Sequence, residues 1–399
     1  MRSRLRGRVS RNVLVLGLVS FLNDISSEMT ITILPLFLAN VLGVRTPIIG
    51  LIEGVAETTA SLTKIYAGWL SDRLRRRKAL ALAGYGVSAL SKPLLYLADS
   101  WLFVGIIRFA DRVGKGIRTA PRDALIADST AAEHRGLSFG FHRALDTGGA
   151  VVGLLAAALV VYLSQRGSLT LARTTFQRLV LVAAIPGFLA VLLLMLGVKE
   201  VSPRQRHGEA PRLTLRGWDR RFYVFLSAVV LFTLGNSADA FLILRAQTLG
   251  IAAAWVAVLL VVQNATYTVV ATPAGALSDR WGRYRLILLA WGIYALVYLG
   301  FAAATAAWQV WVLFAVYGVY YGIAEGVGKA LVADVVDVEK RGTAYGLYNA
   351  AVGLTALPAS VIAGVLWQGV GPWSGFGPSA PFVFGAVMAG LAVLVLSRM

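Results

Sequence analysis

The sequence predicts an all-α membrane protein of twelve transmembrane helices, arranged as two related bundles of six. Two observations favour this fold class. The composition is apolar, since 57% of the 399 residues are hydrophobic and only 15% are charged. The pattern Gly-x-Leu-Ser-Asp-Arg also occurs twice, at 68–73 and at 275–280, each time between a long apolar run and a group of arginines. Such self-similarity at a long period is the mark of an internal repeat.

A second pair of matching segments confirms the repeat. Glu133-His-Arg-Gly136 corresponds to Glu339-Lys-Arg-Gly342, and Ala-Asp precedes both copies at the same distance. The chain is therefore two copies of a unit of roughly 200 residues.

Twelve apolar runs are long enough to cross a bilayer, which takes about 20 residues in a helix. The first half contributes the runs near 13–40, 47–71, 79–98, 101–122, 136–163 and 177–198. The second half contributes those near 222–247, 252–277, 286–306, 309–333, 343–369 and 380–397. Backbone groups in hydrocarbon must be hydrogen-bonded within their own segment, so the runs are predicted to be helices.

One long polar stretch separates the two sets of spans. Residues 199–221 contain two prolines and seven Lys or Arg residues. We predict a cytoplasmic linker there, between an N-terminal six-helix bundle at 1–198 and a C-terminal six-helix bundle at 222–399.

The basic residues predict the orientation. They are concentrated in the N-terminal segment, in the linker and in the loops that follow spans two, eight and ten. Under the positive-inside rule these segments and both termini are cytoplasmic, which predicts a multi-pass protein of the cytoplasmic (inner) membrane. Topology then accounts for most of the net charge of +18, and no basic surface interleaved with aromatic residues points to nucleic acid.

Several classes of chemistry lack their sequence signals. The chain has no cysteine, which excludes disulfides, thiolate metal sites and cysteine nucleophiles. It also has no Walker loop, no nucleophile elbow and no zinc-ligand cluster. We therefore expect a protein that is not an enzyme and that uses no cofactor, no metal and no ATP.

The repeated loop pattern resembles that of the major facilitator superfamily, whose motif between spans two and three reads G-x-x-x-D-R/K-x-G-R/K-R/K and recurs between spans eight and nine. The first copy matches in Gly68, Asp72, Arg73, Arg76 and Arg77, and departs at Arg75. The second matches in Gly275, Asp279, Arg280, Gly282 and Arg283, and departs at Tyr284. The resemblance covers essentially the whole chain. Within the family the sequence is similar to the drug and metabolite:proton antiporters, although Leu154 stands where those proteins carry proline.

The resemblance implies two bundles that rock about a central cavity, with the loop motif as a cytoplasmic latch. The residues implied in this gating are Gly68, Asp72, Arg73, Gly275, Asp279 and Arg280. An acidic residue at a helix boundary can accept hydrogen bonds from helix N-terminal amides and pair with arginines in one state only. The alternative is that Asp72 and Asp279 only cap and orient their loops.

The fourth span carries the most informative charges. At 100° per residue, one helix face holds Arg108, Asp111, Arg112, Lys115 and Arg118. Charges facing lipid are costly, so this stripe must face a cavity or a partner helix. We expect an anionic group of a solute to bind there, and the predicted substrate-binding residues are Arg108, Arg112, Lys115, Asn23, Arg143 and Asn236.

Acidic residues inside other spans are candidates for moving protons. The predicted proton-coupling residues are Asp24, Glu28, Glu57, Asp239 and Glu325. The carboxylate that takes up and releases the proton should be the one with the weaker basic partner. This favours Asp24, Glu28 and Glu57 over Asp111, because Arg108 and Arg112 flank Asp111. In the alternative reading, these acids and bases neutralise one another in structural pairs and none meets a solute.

Together the patterns predict a secondary active transporter that exports a small amphipathic or anionic solute by alternating access, coupled to protons. Its expected partners are the solute, protons and the lipid bilayer, and the resemblance implies a monomer. Proton-coupled uptake of a small anion stays open, because neither repeat nor charges encode direction. A third possibility is a non-transporting sensor on a transporter fold, although no soluble output domain accompanies the spans.

Overall fold

The computed structural model describes residues 10–74, 76–201, 217–336 and 340–399, with the side chains of Asp72, Ala132 and Lys329 outside that description. The N-terminal arginines before residue 10, Arg75 of the first loop motif and most of the predicted linker, 202–216, also lie outside it.

The first half of the chain forms six long helices. They are α1 (Arg11–Val41), α2 (Thr46–Leu74), α3 (Arg77–Leu97), α4 (Trp101–Asp128), α5 (Arg135–Gln165) and α6 (Arg173–Gly197). The last turns of α1 loosen into a π-helix at Phe37–Val41, and α3 tightens into a 3-10 helix at Lys92–Leu97, where Pro93 follows Lys92.

The second half forms another six. They are α7 (Arg220–Thr248), α8 (Ala253–Trp281), α9 (Arg283–Ala303), α10 (Ala307–Asp334), α11 (Arg341–Gln368) and α12 (Ala380–Leu396). The described residues therefore contain the six-plus-six helices that the sequence predicts, and the observed ends lie within a few residues of most predicted ones.

Nine of the described helices are long and apolar enough to cross a membrane. Of the other three, α12 is apolar but shorter, whereas α2 and α4 have the length but are more polar. Charged residues inside a span normally face the protein interior or an aqueous cavity. Functional residues are therefore expected on the two polar helices, α2 and α4.

The chain divides into two compact units. One comprises Met1–Phe37, Thr59–Arg166 and Leu171–Pro211, and the other comprises Leu38–Thr58, Gly167–Thr170 and Arg212–Met399. The helix α2 thus contributes its first part to the second unit and its last part to the first. The predicted domain bounds at 198 and 222 stay a prediction.

The same packing pattern occurs inside each unit. In the first, α1 packs against α5 and α6, and α3 packs against α4 and α6. In the second, α7 packs against α11 and α12, and α9 packs against α10 and α12. The sequence repeat is therefore also a repeat of helix–helix contacts.

Glycines allow the closest of these contacts. A Cβ atom on Gly84 of α3 would lie 2.6 Å from the carbonyl oxygen of Gly114 on α4, and one on Gly153 of α5 would lie 2.7 Å from that of Ile25 on α1. Lipid tails are as apolar as leucine, so helices in a membrane associate by close packing, which small residues permit. These contacts fix α3 against α4 and α1 against α5.

The second unit contains a broken helix. The α-helical hydrogen bonding of α7 stops at Gly235 and resumes at Ala240, leaving Asn236 and Asp239 in non-helical backbone. Tyr294 donates a hydrogen bond to the Gly235 carbonyl at 3.0 Å. Irregular backbone at membrane depth is tolerated where the protein satisfies it or where it lines a cavity.

Candidate functional site

The charged stripe lies on an unbroken helix in the first unit. Helix α4 begins after Ser100, whose hydroxyl caps it, and continues through Pro121 to Asp128. Lys115 is exposed, and at this position in a span an exposed ammonium indicates a water-accessible surface, because lipid would not solvate it. The other four side chains of the stripe are at most 6% exposed: Arg108, Asp111, Arg112 and Arg118.

Asp111 lies at the centre of a group of cations. Its carboxylate accepts a hydrogen bond from the Ser88 hydroxyl of α3, and its Oδ2 lies 3.7 Å from Arg108 Nη1. Three further cations interact with it electrostatically. We define the cation cluster as Lys92, Arg108, Arg112 and Arg118, each of them at most 5% exposed.

Two members of the cation cluster make well-defined contacts away from Asp111. Lys92 Nζ donates to the hydroxyl of Ser27 at 2.7 Å and to that of Ser26 at 3.3 Å, both on α1. The guanidinium carbon of Arg118 lies 4.8 Å from the ring centroid of Tyr85. Among the described residues, Arg118 Nη1 has no hydrogen-bond partner although it is buried.

Helix α1 brings acidic residues to the same region. Asp24 is half-buried, accepts a hydrogen bond from Asn23 Nδ2 at 3.2 Å, and interacts electrostatically with Arg118 and Lys115. One turn further along α1, Glu28 accepts a hydrogen bond from Thr32 at 3.2 Å. The structure therefore brings the predicted proton-coupling residue Asp24 close to the predicted anion-binding stripe.

A second polar network lies beyond the stripe, and sequence reasoning missed most of it. Arg122 donates to the Ser20 hydroxyl at 3.3 Å, and Ser20 is also hydrogen-bonded to the Tyr85 hydroxyl and to His142 Nε2. Arg122 Nη1 further lies 3.9 Å from Asp146 Oδ1. A signal existed, because Arg122 follows Arg118 by one helical turn and α4 continues through Pro121.

The predicted residue Arg143 belongs to the edge of this network. Its Nη1 atom lies 3.5 Å from Asp146 Oδ2, and its side chain is 56% exposed. Solvent screens an ion pair with one exposed partner, so this pair contributes little to stability.

The second unit encloses a cavity of about 170 Å³ between α7, α9, α10 and α11. Six of its fourteen lining residues are aromatic, namely Phe225, Phe232, Trp291, Tyr320, Tyr321 and Tyr348. Asn236 and Glu325 supply polar groups in the same wall. Sequence reasoning did not mark Trp291 and the two phenylalanines, because an apolar aromatic residue inside a span carries no signal that distinguishes a cavity wall from ordinary packing.

The acidic candidates of the second unit contact tyrosines. Glu325 Oε2 accepts a hydrogen bond from Tyr267 at 2.8 Å, and Asp239 Oδ1 accepts one from Tyr317 at 3.4 Å. Glu57 is half-buried on the first part of α2, and its neighbour Thr58 donates to the carbonyl of Gly353 on α11 at 2.6 Å.

The loop-motif residues lie at helix ends. In the first copy Gly68 and Arg73 fall in the last two turns of α2, and Arg73 is exposed with its guanidinium carbon 5.4 Å from the Trp69 ring centroid. The side chain of Asp72 lies outside the described residues. In the second copy Gly275, Asp279 and Arg280 are exposed at the end of α8. The predicted gating role of these residues stays a prediction.

An ion pair next to the loop motif occurs in both copies. Arg77 at the start of α3 pairs with Asp128 at the end of α4, and Arg283 at the start of α9 pairs with Asp334 at the end of α10. The arginine also donates to equivalent carbonyls, those of Ala124 and Ala330, at 3.2 Å in each case. The repeat therefore preserves a contact between elements as well as a loop sequence.

Comparison with known proteins places this arrangement in a family. The model of the Major Facilitator Superfamily matches residues 16–259 and 224–399. An uncharacterized MFS-type transporter of Methanocaldococcus jannaschii is 37% identical over 395 residues, which cover 97% of this chain and 94% of that protein. An uncharacterized protein of Mycobacterium tuberculosis is 28% identical over 90% of this chain and 87% of its own length.

Among solved structures, the crystal structure of a variant of the nucleoside transporter NupG shares the fold. Its TM-score is 0.78 over 97% of this chain and 99% of that chain, at 11% sequence identity. The family model spans residues 16–399, the relative from Methanocaldococcus jannaschii covers 97% of the chain, and the described helices have the matching architecture. The chain therefore belongs to the Major Facilitator Superfamily and is a secondary transporter of the multi-pass membrane type.

Proposed function

We propose that this transporter moves a small anionic or amphipathic solute across the cytoplasmic membrane, coupled to protons and working as a monomer. The observation that carries the proposal is the cation cluster, in which four buried cations interact with the buried carboxylate of Asp111.

The charge of the cation cluster supports an anionic ligand. Its four cations interact with Asp111, and the half-buried Asp24 also interacts with Arg118. Positive charges gathered in a site of low dielectric constant create a potential that attracts an anionic group of a solute. Guanidinium groups present paired donors that match the oxygens of carboxylate, phosphate or sulfonate groups.

Asp24 is the best placed residue for proton coupling. When it is ionised, its carboxylate competes with an incoming anion for Arg118 and Lys115. When it is protonated, that competition is removed. By linkage, binding of the anion and binding of the proton then favour each other by the same factor.

This linkage supports uptake of an anion together with a proton more than it supports the export expected from sequence. Export by proton exchange needs the opposite relation, in which solute and proton displace each other. It remains a second candidate because Glu325 lines the aromatic cavity, where a cationic solute and a proton would compete for one carboxylate.

Binding of small anions tests the proposal. We expect methyl phosphate, malonate or benzenesulfonate to raise the unfolding temperature of the purified protein, since a ligand at 100 times its Kd stabilises the folded state by about 2.7 kcal/mol. Lys115→Gln should weaken that response, whereas Arg178→Gln, which removes an equal charge from an exposed position at the start of α6, should leave it intact. Absence of any response in the unaltered protein, or an equal response in the Lys115 variant, would contradict anion binding at α4.

A further inference from the structure

The cavity of the second unit is separate from the charged stripe and has a different chemistry. We infer that it binds a flat aromatic group of the transported solute, one or two fused rings in size. The inference rests on the proposed function only in taking the occupant to be part of the solute.

The walls of the cavity are built from aromatic faces. The rings of Phe232 and Trp291 stack with centroids 4.7 Å apart and planes 9° apart, and those of Phe225 and Tyr348 are nearly parallel at 6.1 Å. Tyr320 and Tyr321 add rings set at 71° to each other. Aromatic groups attract one another in offset-stacked and edge-to-face arrangements at these separations, which a further ring entering the cavity can adopt.

The volume of the cavity matches an aromatic ring system. An apolar cavity of about 150 Å³ holds benzene, so about 170 Å³ accommodates one ring or a compact fused pair. A saturated ring of equal carbon number is thicker and lacks a π face. The cavity should therefore prefer the flat compound.

Polar groups occur on the accessible side. Phe225, Phe232, Trp291 and Tyr320 are nearly fully buried. The lining residues Asn236, Tyr321, Glu325 and Tyr348 are instead half-buried. A hydroxyl or ring N–H on the aromatic group would find acceptors there, in Asn236 and Glu325. Binding sites for small molecules commonly combine an apolar wall with a few such orienting groups.

The test is a matched pair of ligands, 2-naphthol and decahydro-2-naphthol, which carry the same hydroxyl on a flat and on a saturated ring system. Titration calorimetry on the full-length protein in detergent measures both. We expect binding of 2-naphthol to be about ten-fold tighter, as one or two favourable aromatic contacts would give. Equal affinity for the two compounds would overturn the inference.

A cavity-filling variant locates the site. Gly328 lines the cavity, and a Cβ atom there would make only ordinary contacts, at 3.6 Å from the Tyr348 hydroxyl and 3.8 Å from Ile287 Cδ1. Gly328→Leu should therefore fold, occupy the cavity and abolish binding of 2-naphthol. Gly326→Leu is the control, because it makes the same change on the same helix at an exposed position with nothing within 4 Å. It also corrects for partition of the ligand into detergent.

Variants of Trp291 and a cationic ligand also test the inference. Trp291→Phe should keep the preference for the flat ligand and Trp291→Leu should reduce it. Loss of binding in both glycine variants, or binding of tetramethylammonium in place of 2-naphthol, would overturn the assignment. Failure of the proposed function is a separate result, because it would appear as unchanged stability with the anions that probe α4, whatever the naphthols do.

Discussion

Asp111 is the residue on which the polar interior of the first unit depends most. It receives the Ser88 hydroxyl and faces all four members of the cation cluster. Removing one member of a buried ion pair leaves uncompensated charge behind, which costs far more than the pair contributes when it is intact.

We therefore expect Asp111→Asn to destabilise the protein strongly, by about 3 kcal/mol or more, because four like charges would remain around a neutral amide. The measurement is thermal unfolding in detergent. The control is Asp123→Asn on the same helix, where the carboxylate is 40% exposed and pairs with Arg122, so that the loss should stay below about 1 kcal/mol. Equal losses of stability from the two substitutions would show that Asp111 contributes no more to stability than the exposed Asp123 does.

At this scale the sequence predicted which residues would be charged and buried, but not how they are paired. Helical spacing alone put Arg108, Asp111, Arg112 and Arg118 on one face, and these four are the buried members of the stripe. The contacts of Ser20 and Tyr85 could not be foreseen, because a serine or tyrosine within a span reads as ordinary packing. The assignment of individual residues to solute or proton binding stays a prediction.

At the scale of helices, the charged site is held in place by the close approach of small residues. A Cβ on Gly149 of α5 would overlap the carbonyl oxygen of Phe21 on α1, whereas one on the adjacent Gly148 would lie 3.8 Å from the Phe21 ring. Neighbouring glycines therefore differ completely in the space around them.

Gly149→Ala should force α5 away from α1 and destabilise the fold by roughly 1–3 kcal/mol, the usual cost of overpacking. Gly148→Ala adds the same methyl group with only ordinary van der Waals contact to the Phe21 ring, and it should be neutral or slightly stabilising, since alanine is the better helix former. Comparison of the two unfolding temperatures checks this. A Gly149→Ala protein as stable as the Gly148→Ala protein would contradict the packing described here.

Hydropathy predicted the helices well and their irregularities poorly. The sequence predicts one continuous span at 222–247, whereas the α-helical hydrogen bonding of α7 stops at Gly235 and resumes at Ala240. The apolar runs on both sides of the break keep the mean hydropathy of the whole span high. Helix α4 continues through Pro121 to Asp128, beyond the predicted end of span four at 122. Neighbouring groups re-satisfy backbone hydrogen bonds in membrane helices, so local breaker rules are weaker there.

At the scale of the whole chain, the two copies of the repeat share an ion pair but differ in how exposed that pair is. The ion pairs Arg77–Asp128 and Arg283–Asp334 occupy equivalent positions, but the first has side chains only 6% and 11% exposed and the second 31% and 46%. Solvent screens the second pair more.

Asp128→Asn should therefore destabilise the protein by roughly 3 kcal/mol, as expected for a broken buried pair, and Asp334→Asn by about 1 kcal/mol or less. Unfolding temperatures in low and high salt check both, and only the Asp334 effect should shrink with salt. A larger or equal loss in the Asp334 variant would refute the ranking.

The two halves share their helix packing and their loop motif, and they differ in what they bury. The first unit buries cations and the second encloses aromatic rings. Shared features identify the transporter family, whereas the features that the repeat does not copy carry the information on the solute.

The most direct test of this account is the sign of the pH change inside proteoliposomes. With equal pH on both sides, we expect an external anion such as methyl phosphate or benzenesulfonate to acidify the lumen, because the anion and a proton enter together. Protein-free liposomes should show no change, and Asp24→Asn should abolish the acidification. Alkalinisation would instead show exchange of solute for protons, and anion binding without any pH change would favour a non-transporting sensor; either result would contradict the account.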